Sequence, residues 1–243
     1  MKKLIVLVYN ILILSLFAYS FTKESASGFW EWLQKDVYWQ AGRSSVLIEK
    51  GYSAREYEWE KIRDKNLATA WVEGDNNAGI GAWIIIPING DYQYLGYEHD
   101  ILKKKRINIT LRINNGFCKN ETVFKNNNRV KKAKITIYEV PLCAYEDFRR
   151  TQAIGEPWIS YETEIGLEDR MDEQKFNFIF NPKAPYKEGS LYLFLKLTIL
   201  DAYPGKKYND TCISELHATA DVIKEKKPEV TKQKKSFFRK DKE

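Results

Sequence analysis

Thr69-Ala-Trp-Val-Glu-Gly-Asp-Asn-Asn-Ala-Gly-Ile-Gly-Ala-Trp83, running on into Ile84-Ile-Ile86 and Pro87, is the stretch whose reading decides the fold. Two tryptophans bracket a single glutamate and a glycine-rich loop. Glycines in such a loop let the backbone take positive φ or pass close to another group. The apolar run 82–86 reads as a strand closed by Pro87. Large rings beside a strand are usually buried, so Trp71 and Trp83 are expected as core anchors. The loop between them, starting at Glu73, is left as the functional candidate.

Outward from this stretch, short strands recur between Gly, Asn and Pro turns. Ile107, Ile109, Leu111 and Ile113 alternate with Asn108, Thr110, Arg112 and Asn114, the period of a half-buried strand. Ala133, Ile135 and Ile137 alternate within 132–138, with Pro141 expected to end that strand. Phe176, Phe178 and Phe180 alternate as well. The run 191–200 is a long apolar strand before the Pro204-Gly205 turn, and 213–219 closes the series. Residues 44–49 read as a first strand, 57–63 as a helical turn, and 124–129 as an Asn-rich loop. The stretch 141–174 reads as less regular, with Trp158 and Ile165 as core contacts. Many short strands and little helix signal imply a β-sandwich or barrel.

The chain has 243 residues, 44% hydrophobic and 14% aromatic, enough for one good-sized core. Its net charge of +6, from 39 Lys and Arg against 33 Asp and Glu, is mild. The basic residues are not gathered on one element with interleaved aromatics, which argues against nucleic acid. At the N-terminus, Lys2 and Lys3 precede an apolar run over 4–17, and Ala18-Tyr-Ser20 fits a small-x-small cleavage site. Residues 1–20 are therefore read as a signal peptide, with an uncleaved anchor as the alternative. The run is shorter than the ~20 residues of a membrane span. An exported protein, periplasmic or extracellular, is expected, with no stable span after cleavage.

Residues 21–40 form an aromatic-rich lead-in. Phe29, Leu33 and Val37 recur every four positions, which predicts a short amphipathic helix. It reads as a segment packed over one end of the domain, or else as an aromatic binding surface. Residues 221–243 are Lys-rich and poor in apolar side chains, the composition of a disordered tail. Cys118, Cys143 and Cys212 match no zinc spacing. They read as buried small apolar residues, or as one bridge plus one free thiol. Asn108, Asn120 and Asn209 each head an Asn-x-Ser/Thr sequon.

Five pieces of the chain carry a family resemblance: Thr69-Ala-Trp-Val-Glu-Gly74, Gly79-Ile-Gly-Ala-Trp83, Ile113-Asn-Asn-Gly-Phe117, Asn127-Asn-Arg-Val-Lys131 and Tyr203-Pro-Gly-Lys-Lys-Tyr-Asn-Asp-Thr-Cys-Ile-Ser-Glu215. In this order they resemble the NADase-type glycan-binding (translocation) domain, a discoidin-like, galactose-binding-like family attached to secreted bacterial NAD glycohydrolases. The resemblance covers 41–220. It implies an all-β, jelly-roll β-sandwich of about eight antiparallel strands. The glycohydrolase of those proteins is a separate domain, so its activity does not carry over, and no enzyme is expected. The chain departs from the family pattern in two places. Gly81-Ala-Trp83 stands where relatives commonly have Gly-Glu-Trp, and Asp64-Lys-Asn66 where they have Asp-Gly-Asp.

The resemblance also implies two sites. A structural calcium ion would draw on Asp64, Asn66, Thr69 and Glu215, a mix of carboxylate, carbonyl and hydroxyl oxygens that suits the ion. The alternative is a capped turn, with Asp64 and Asn66 bonding local backbone. The second site is for carbohydrate, or a surface protein, on the loops at one end of the sandwich. Its candidates are Glu73, Asn76, Asn127, Arg129, Tyr203 and Tyr208, with Tyr52, Asn115 and Phe117 nearby. Sugars present an apolar C–H face to rings and hydroxyls to polar forks. The Arg129 guanidinium is the fork singled out; the alternative is a fold-holding pair with an acid such as Glu73. For catalysis, His99 and His217 are the only histidines, and neither sits in a nucleophile motif.

Overall fold

A computed structural model of the chain describes residues 42–90, 106–144, 151–153, 157–183 and 190–223. The expected signal peptide and helical lead-in lie outside these residues, as do 91–105, with His99, and 224–243; the first three residues of the expected tail, 221–223, belong instead to the last strand, paired with Arg106 to Asn108. Eleven strands run in chain order: β1 (Gly42–Arg43), β2 (Trp71–Val72), β3 (Trp83–Pro87), β4 (Asn89–Gly90), β5 (Arg106–Asn115), β6 (Asn128–Ala144), β7 (Thr151–Ala153), β8 (Trp158–Gly166), β9 (Gln174–Phe180), β10 (Ser190–Tyr203) and β11 (Thr211–Ile223). One turn of 3-10 helix, Trp59–Arg63, precedes β2, and a short helix α1, Glu121–Asn126, lies between β5 and β6.

The strands form one hydrogen-bonded path, β1-β3-β10-β6-β11-β5-β9, folded into two layers. In the first layer β10 pairs β3 and β6 antiparallel, and β8 and β7 lie on the other edge of β6. In the second, β5 lies between β11 and β9, with β2 and β4 also on β11. The layers meet at one corner. There Asn128 and Arg129 pair in parallel with Thr211 and Cys212, before β8 takes over that edge of β6 at Lys132. The inner faces share one core: Ile84, Ile86, Ile135, Ile137, Leu195 and Leu197 from the first layer, Ile107, Ile109, Leu111, Leu216 and Phe178 from the second. Two mainly antiparallel layers closed on one core are the jelly-roll sandwich that the resemblance implied. No helix among the described residues is long and apolar enough to cross a membrane.

The alternating stretches 107–113 and 176–180 become β5 and β9 with the expected inward faces. Elsewhere the boundaries differ for physical reasons. Residues 44–49 are not a strand; β1 is confined to Gly42–Arg43 beside Ile84 and Ile85. The stretch 124–129 is not simply a loop. Asn120 caps α1, its side-chain oxygen accepting from the Val123 N–H at 2.9 Å. Pro141 does not end its strand. It sits between the residues that pair with β8 and those that pair with β7, where its missing N–H leaves no ladder bond unmade. Ile165 is buried as expected, but Trp158 is 42% exposed. A bulge opposite Ile137 and Tyr138 shifts the alternation of β8 near that end.

Trp71 is fully buried and its indole N–H donates to the Ser45 carbonyl at 3.0 Å. Trp83 is only half-buried and faces the other way, with the Lys196 ammonium 4.8 Å above its ring. The core-anchor expectation holds for the first tryptophan and not for the second.

Candidate functional site

Four loops gather at the end of the sandwich where β3, β6 and β11 begin. The loop after β1 lies on the loop after β2: Leu47 N donates to Val72 O, and the Ser45 hydroxyl pairs with Asp75 at 3.0 Å. The loop after β2 is tied to β11 by Thr211, whose hydroxyl donates to Ala78 O at 2.6 Å. The segment 203–210 is tied to α1 by three backbone bonds, from Lys206, Lys207 and Tyr208 to Lys125 and Asn126. Asn128 bonds Asn209 across the same junction.

Two charged side chains are buried under these loops. Glu73 has no exposed surface. Its carboxylate accepts from Thr211 N at 3.0 Å and from Asp75 N at 2.6 Å. Burial raises its pKa, opposed by those two backbone bonds. Gly79 passes directly over it at φ +68°, where a Cβ would stand 2.6 Å from the Glu73 Cγ. A side chain at Gly79 would force the loop off the glutamate.

Arg129 is the second. Its guanidinium grips Asp169 through Nε at 2.9 Å and Nη2 at 2.7 Å, and Nη1 donates to the Asn127 and Pro204 carbonyls, both at 2.9 Å. It lies near the Phe124 and Tyr203 rings, 5.3 and 5.9 Å from their centroids. The Tyr203 hydroxyl is itself bonded to Leu167 O at 2.9 Å. Arg129 holds the Asp169 carboxyl below its ordinary pKa, first through this hydrogen bond. Gly116, at φ +84°, leaves room for the arginine stem; a Cβ there would meet Arg129 Cγ at 2.5 Å.

The arginine does pair with an acid, but the acid is Asp169 and not Glu73. Nothing in the sequence marks Asp169 among its neighbours Glu168 and Asp172; the fold selects it. Asn115 is buried too, bonded both ways to the Val130 backbone at 2.7 and 2.8 Å. The Asn127 side chain is turned back on Val123 O at 2.8 Å. Glu73, Asn115, Asn127, Arg129 and Tyr203 thus form the frame of the loop end. Asn76 and Tyr208 stand on its exposed surface; Tyr208 is 44% exposed with the Lys207 ammonium 4.8 Å over its ring. Tyr52 is exposed on the adjoining loop, tilted against Tyr57 at 6.3 Å, and Phe117 packs beneath with Val72 and Cys212.

The four calcium candidates also come together. Asn66 N lies between two carboxylates, donating to Asp64 Oδ1 and to Glu215 Oε1, both at 2.9 Å. The Thr69 hydroxyl donates to Asp64 Oδ2 at 2.8 Å, the Asn66 side-chain oxygen accepts from Ala68 N at 3.0 Å, and Glu215 Oε2 meets His217 Nε2 at 2.7 Å. Of the six side-chain oxygens five already face a donor and the sixth, the Thr69 hydroxyl, is one of those donors; an N–H occupies the place between the carboxylates. Calcium needs six to eight oxygens around it. These residues, as arranged, do not fit the ion, and they form a capped turn that ties the approach to β2 to the last strand. Among the described residues no group of three or more His, Cys, Asp or Glu is arranged to hold a metal. Cys118 and Cys212 are buried free thiols; burial pushes Cys118 up to about 11.

Residues 32–219 match the sequence model of the family described as the NAD glycohydrolase translocation F5/8 type C domain. No curated protein matches the chain in sequence. Among solved structures, the chain is similar to the arabinofuranosyltransferase AftD from mycobacteria, with 13% identity and a TM-score of 0.39, over 75% of this chain. That match spans only 12% of the transferase. It is also similar to the C-terminal domain of a chitobiase from Bacteroides fragilis, with 17% identity and a TM-score of 0.36, over 76% of this chain and 95% of that one. At these scores the likenesses say nothing about ligand or activity. With the matching model spanning more than three-quarters of its length, the chain belongs to the NAD glycohydrolase translocation F5/8 type C domain family.

Proposed function

We propose that this chain is a non-catalytic recognition module of an exported protein, and that it binds carbohydrate on its loop end. The observation that carries the reading is the division of labour at that end. The buried charges of Glu73 and Arg129 fix the loops from below, leaving Asn76, Tyr52 and Tyr208 exposed on top. Exposed rings offer a flat face to a pyranose, and an amide offers a donor and an acceptor to adjacent hydroxyls. A rigid frame lowers the entropy lost on binding.

The test is a glycan array probed with the purified chain and with Tyr208→Ala and Asn76→Ala. Binding that falls at least about tenfold in the variants, a loss of about 1.4 kcal/mol, supports the reading. A folded chain that binds no glycan sinks it. A second reading, a protein partner, is favoured by Ile48, 72% exposed, and Ile80, 39% exposed, on the same loops. Capture of a protein that is lost in Ile48→Asp and kept in Tyr208→Ala selects that reading.

A further inference from the structure

The two layers treat charge on their outer faces differently. On the first, β6 and β8 set each of two lysines against an acid: Lys134 meets Glu162 at 2.6 Å and Lys132 meets Glu164 at 2.5 Å. On the second, Ile107, Ile109, Leu111 and Ile113 of β5 are fully buried in the core, so Arg106, Asn108, Thr110, Arg112 and Asn114 turn outward. The register sets His217 of β11 and Lys175 of β9 on either side of Arg112. Three basic side chains thus stand in one row across three strands, about 5 Å from strand to strand.

Nothing in the fold asks for this row. Like charges directly opposite on neighbouring strands are destabilising. Arg112 and Lys175 are both exposed, and their side chains have no acid partner among the described residues. Arg106, exposed at the far end of β5, has none either. The acids on these three strands are Glu215 and Asp221. Glu215 is already taken by His217 Nε2 at 2.7 Å and by Asn66 N, and Asp221 stands two rows away, opposite Asn108.

We propose that the outer face of β11, β5 and β9 is a docking surface for an acidic polysaccharide, with Arg112 and Lys175 holding its sulfate or carboxylate groups. Charge complementarity gives the sign of the partner. The layout gives its shape: the row crosses the strands, and Arg106 repeats the charge about 20 Å further along β5, a span for a linear polyanion rather than a single small anion. Between the charges lie groups that suit sugar hydroxyls. Thr219 and Asn177 are exposed, and Asn108 is half-buried. The Thr110 hydroxyl donates to Asn177 Oδ1 at 2.9 Å, which leaves the Asn177 NH2 group for a ligand.

Other polyanions fit less well. Ile179 is the one large apolar side chain exposed on these strands, whereas a protein interface is built around an apolar centre. Single-stranded nucleic acid is held by stacking on aromatic rings, and the outward positions of these strands carry none. The face is a side of the sandwich, apart from the loop end, and this inference does not depend on what those loops bind.

The experiment is titration of the full chain with dextran sulfate and with polygalacturonate, neutral dextran serving as the blank. The chain should bind at least one of the acidic polymers and not the neutral one. Affinity should fall at least about tenfold in Arg112→Gln/Lys175→Gln. Lys132→Gln/Lys134→Gln removes the same charge from the first layer and should change it less than about twofold. Tyr208→Ala should leave it unchanged. No binding to either polymer by the folded chain overturns the proposal. So does an equal loss in the two double variants, or a loss that Tyr208→Ala causes in place of the Arg112 and Lys175 changes. If Arg112→Gln/Lys175→Gln does not fold, the unaltered chain supplies the readout. Bound polymer should slow acetylation of Lys175 at least about fivefold relative to Lys132, mapped by mass spectrometry. Equal slowing of the two lysines overturns the proposal.

Discussion

The Arg129 corner and the Asp64–Glu215 turn both tie distant parts of the chain together, and they do so in opposite environments. Arg129 reaches Asp169, 40 residues away, and Asn66 reaches Glu215, 149 residues away. The corner encloses a guanidinium between a carboxylate, two carbonyls and two rings, with little water left. In the turn Asp64 and Asn66 remain exposed, and only Glu215 is buried. Similar bonds should therefore matter differently. Where water can replace a lost partner the cost is small; where it cannot, the orphaned group bears its full desolvation penalty.

The strongest way to break this contrast is Arg129→Met, which keeps the stem and removes the charge. It should cost about 3 kcal/mol, because Asp169 and two carbonyls lose their donors. Urea unfolding followed by far-UV circular dichroism measures it; a loss below about 1 kcal/mol would place the corner in the same class as the turn. The pH dependence has a definite sign. Asp169 has a folded pKa below its ordinary 3.8, so its stabilisation is fully present above that value. It is lost as pH falls through the lowered value, and the variant, keeping only Lys125 beside Asp169, should show a shallower acid-side slope.

The turn should respond less. Glu215→Ala removes the acceptor for Asn66 N and for His217, and Asn66 N keeps Asp64; a loss of about 1 kcal/mol is expected. Because an N–H stands where a cation would, millimolar calcium or chelator should leave the melting temperature unchanged. A rise with calcium would show that the turn opens to take the ion, and the contrast would fail.

The smallest effect sharpens the contrast from the other side. Lys65 sits at φ +60°, a left-handed conformation that suits glycine. Lys65→Gly should relieve that strain and give back part of the gain as unfolded-chain entropy, for a net stabilisation of about 0.5 kcal/mol. Destabilisation on thermal melting would mean the lysine side chain contributes to the turn.

Much of the frame was legible before any coordinates. Ile107 to Ile113 and Phe176 to Phe180 alternate because each strand buries one face, and that constraint is local. The order of the five motif pieces identified the sandwich. Residues 158–166 were harder to read, since the bulge breaks the alternation of β8. The α1 helix could have been found from Asn120, three residues ahead of Val123, a capping signal hidden inside what also reads as a sequon. The fates of Glu73 and Arg129 were not legible in the same way. Glu73 stands beside a glycine-rich loop and Arg129 beside an asparagine-rich turn, settings shared by ligand contacts and by buried struts.

The sequence by itself determined the regularly alternating strands, their inward faces and the family, because side-chain period and motif order are properties of neighbouring residues. Only the tertiary structure decided that Glu73 and Arg129 hold the loops while Asn76 and Tyr208 face out. It also set an N–H between Asp64 and Glu215, and buried Ile85 and Phe194. Partner choice and burial depend on segments far apart in the chain, and those meet only when the two layers close on their common core.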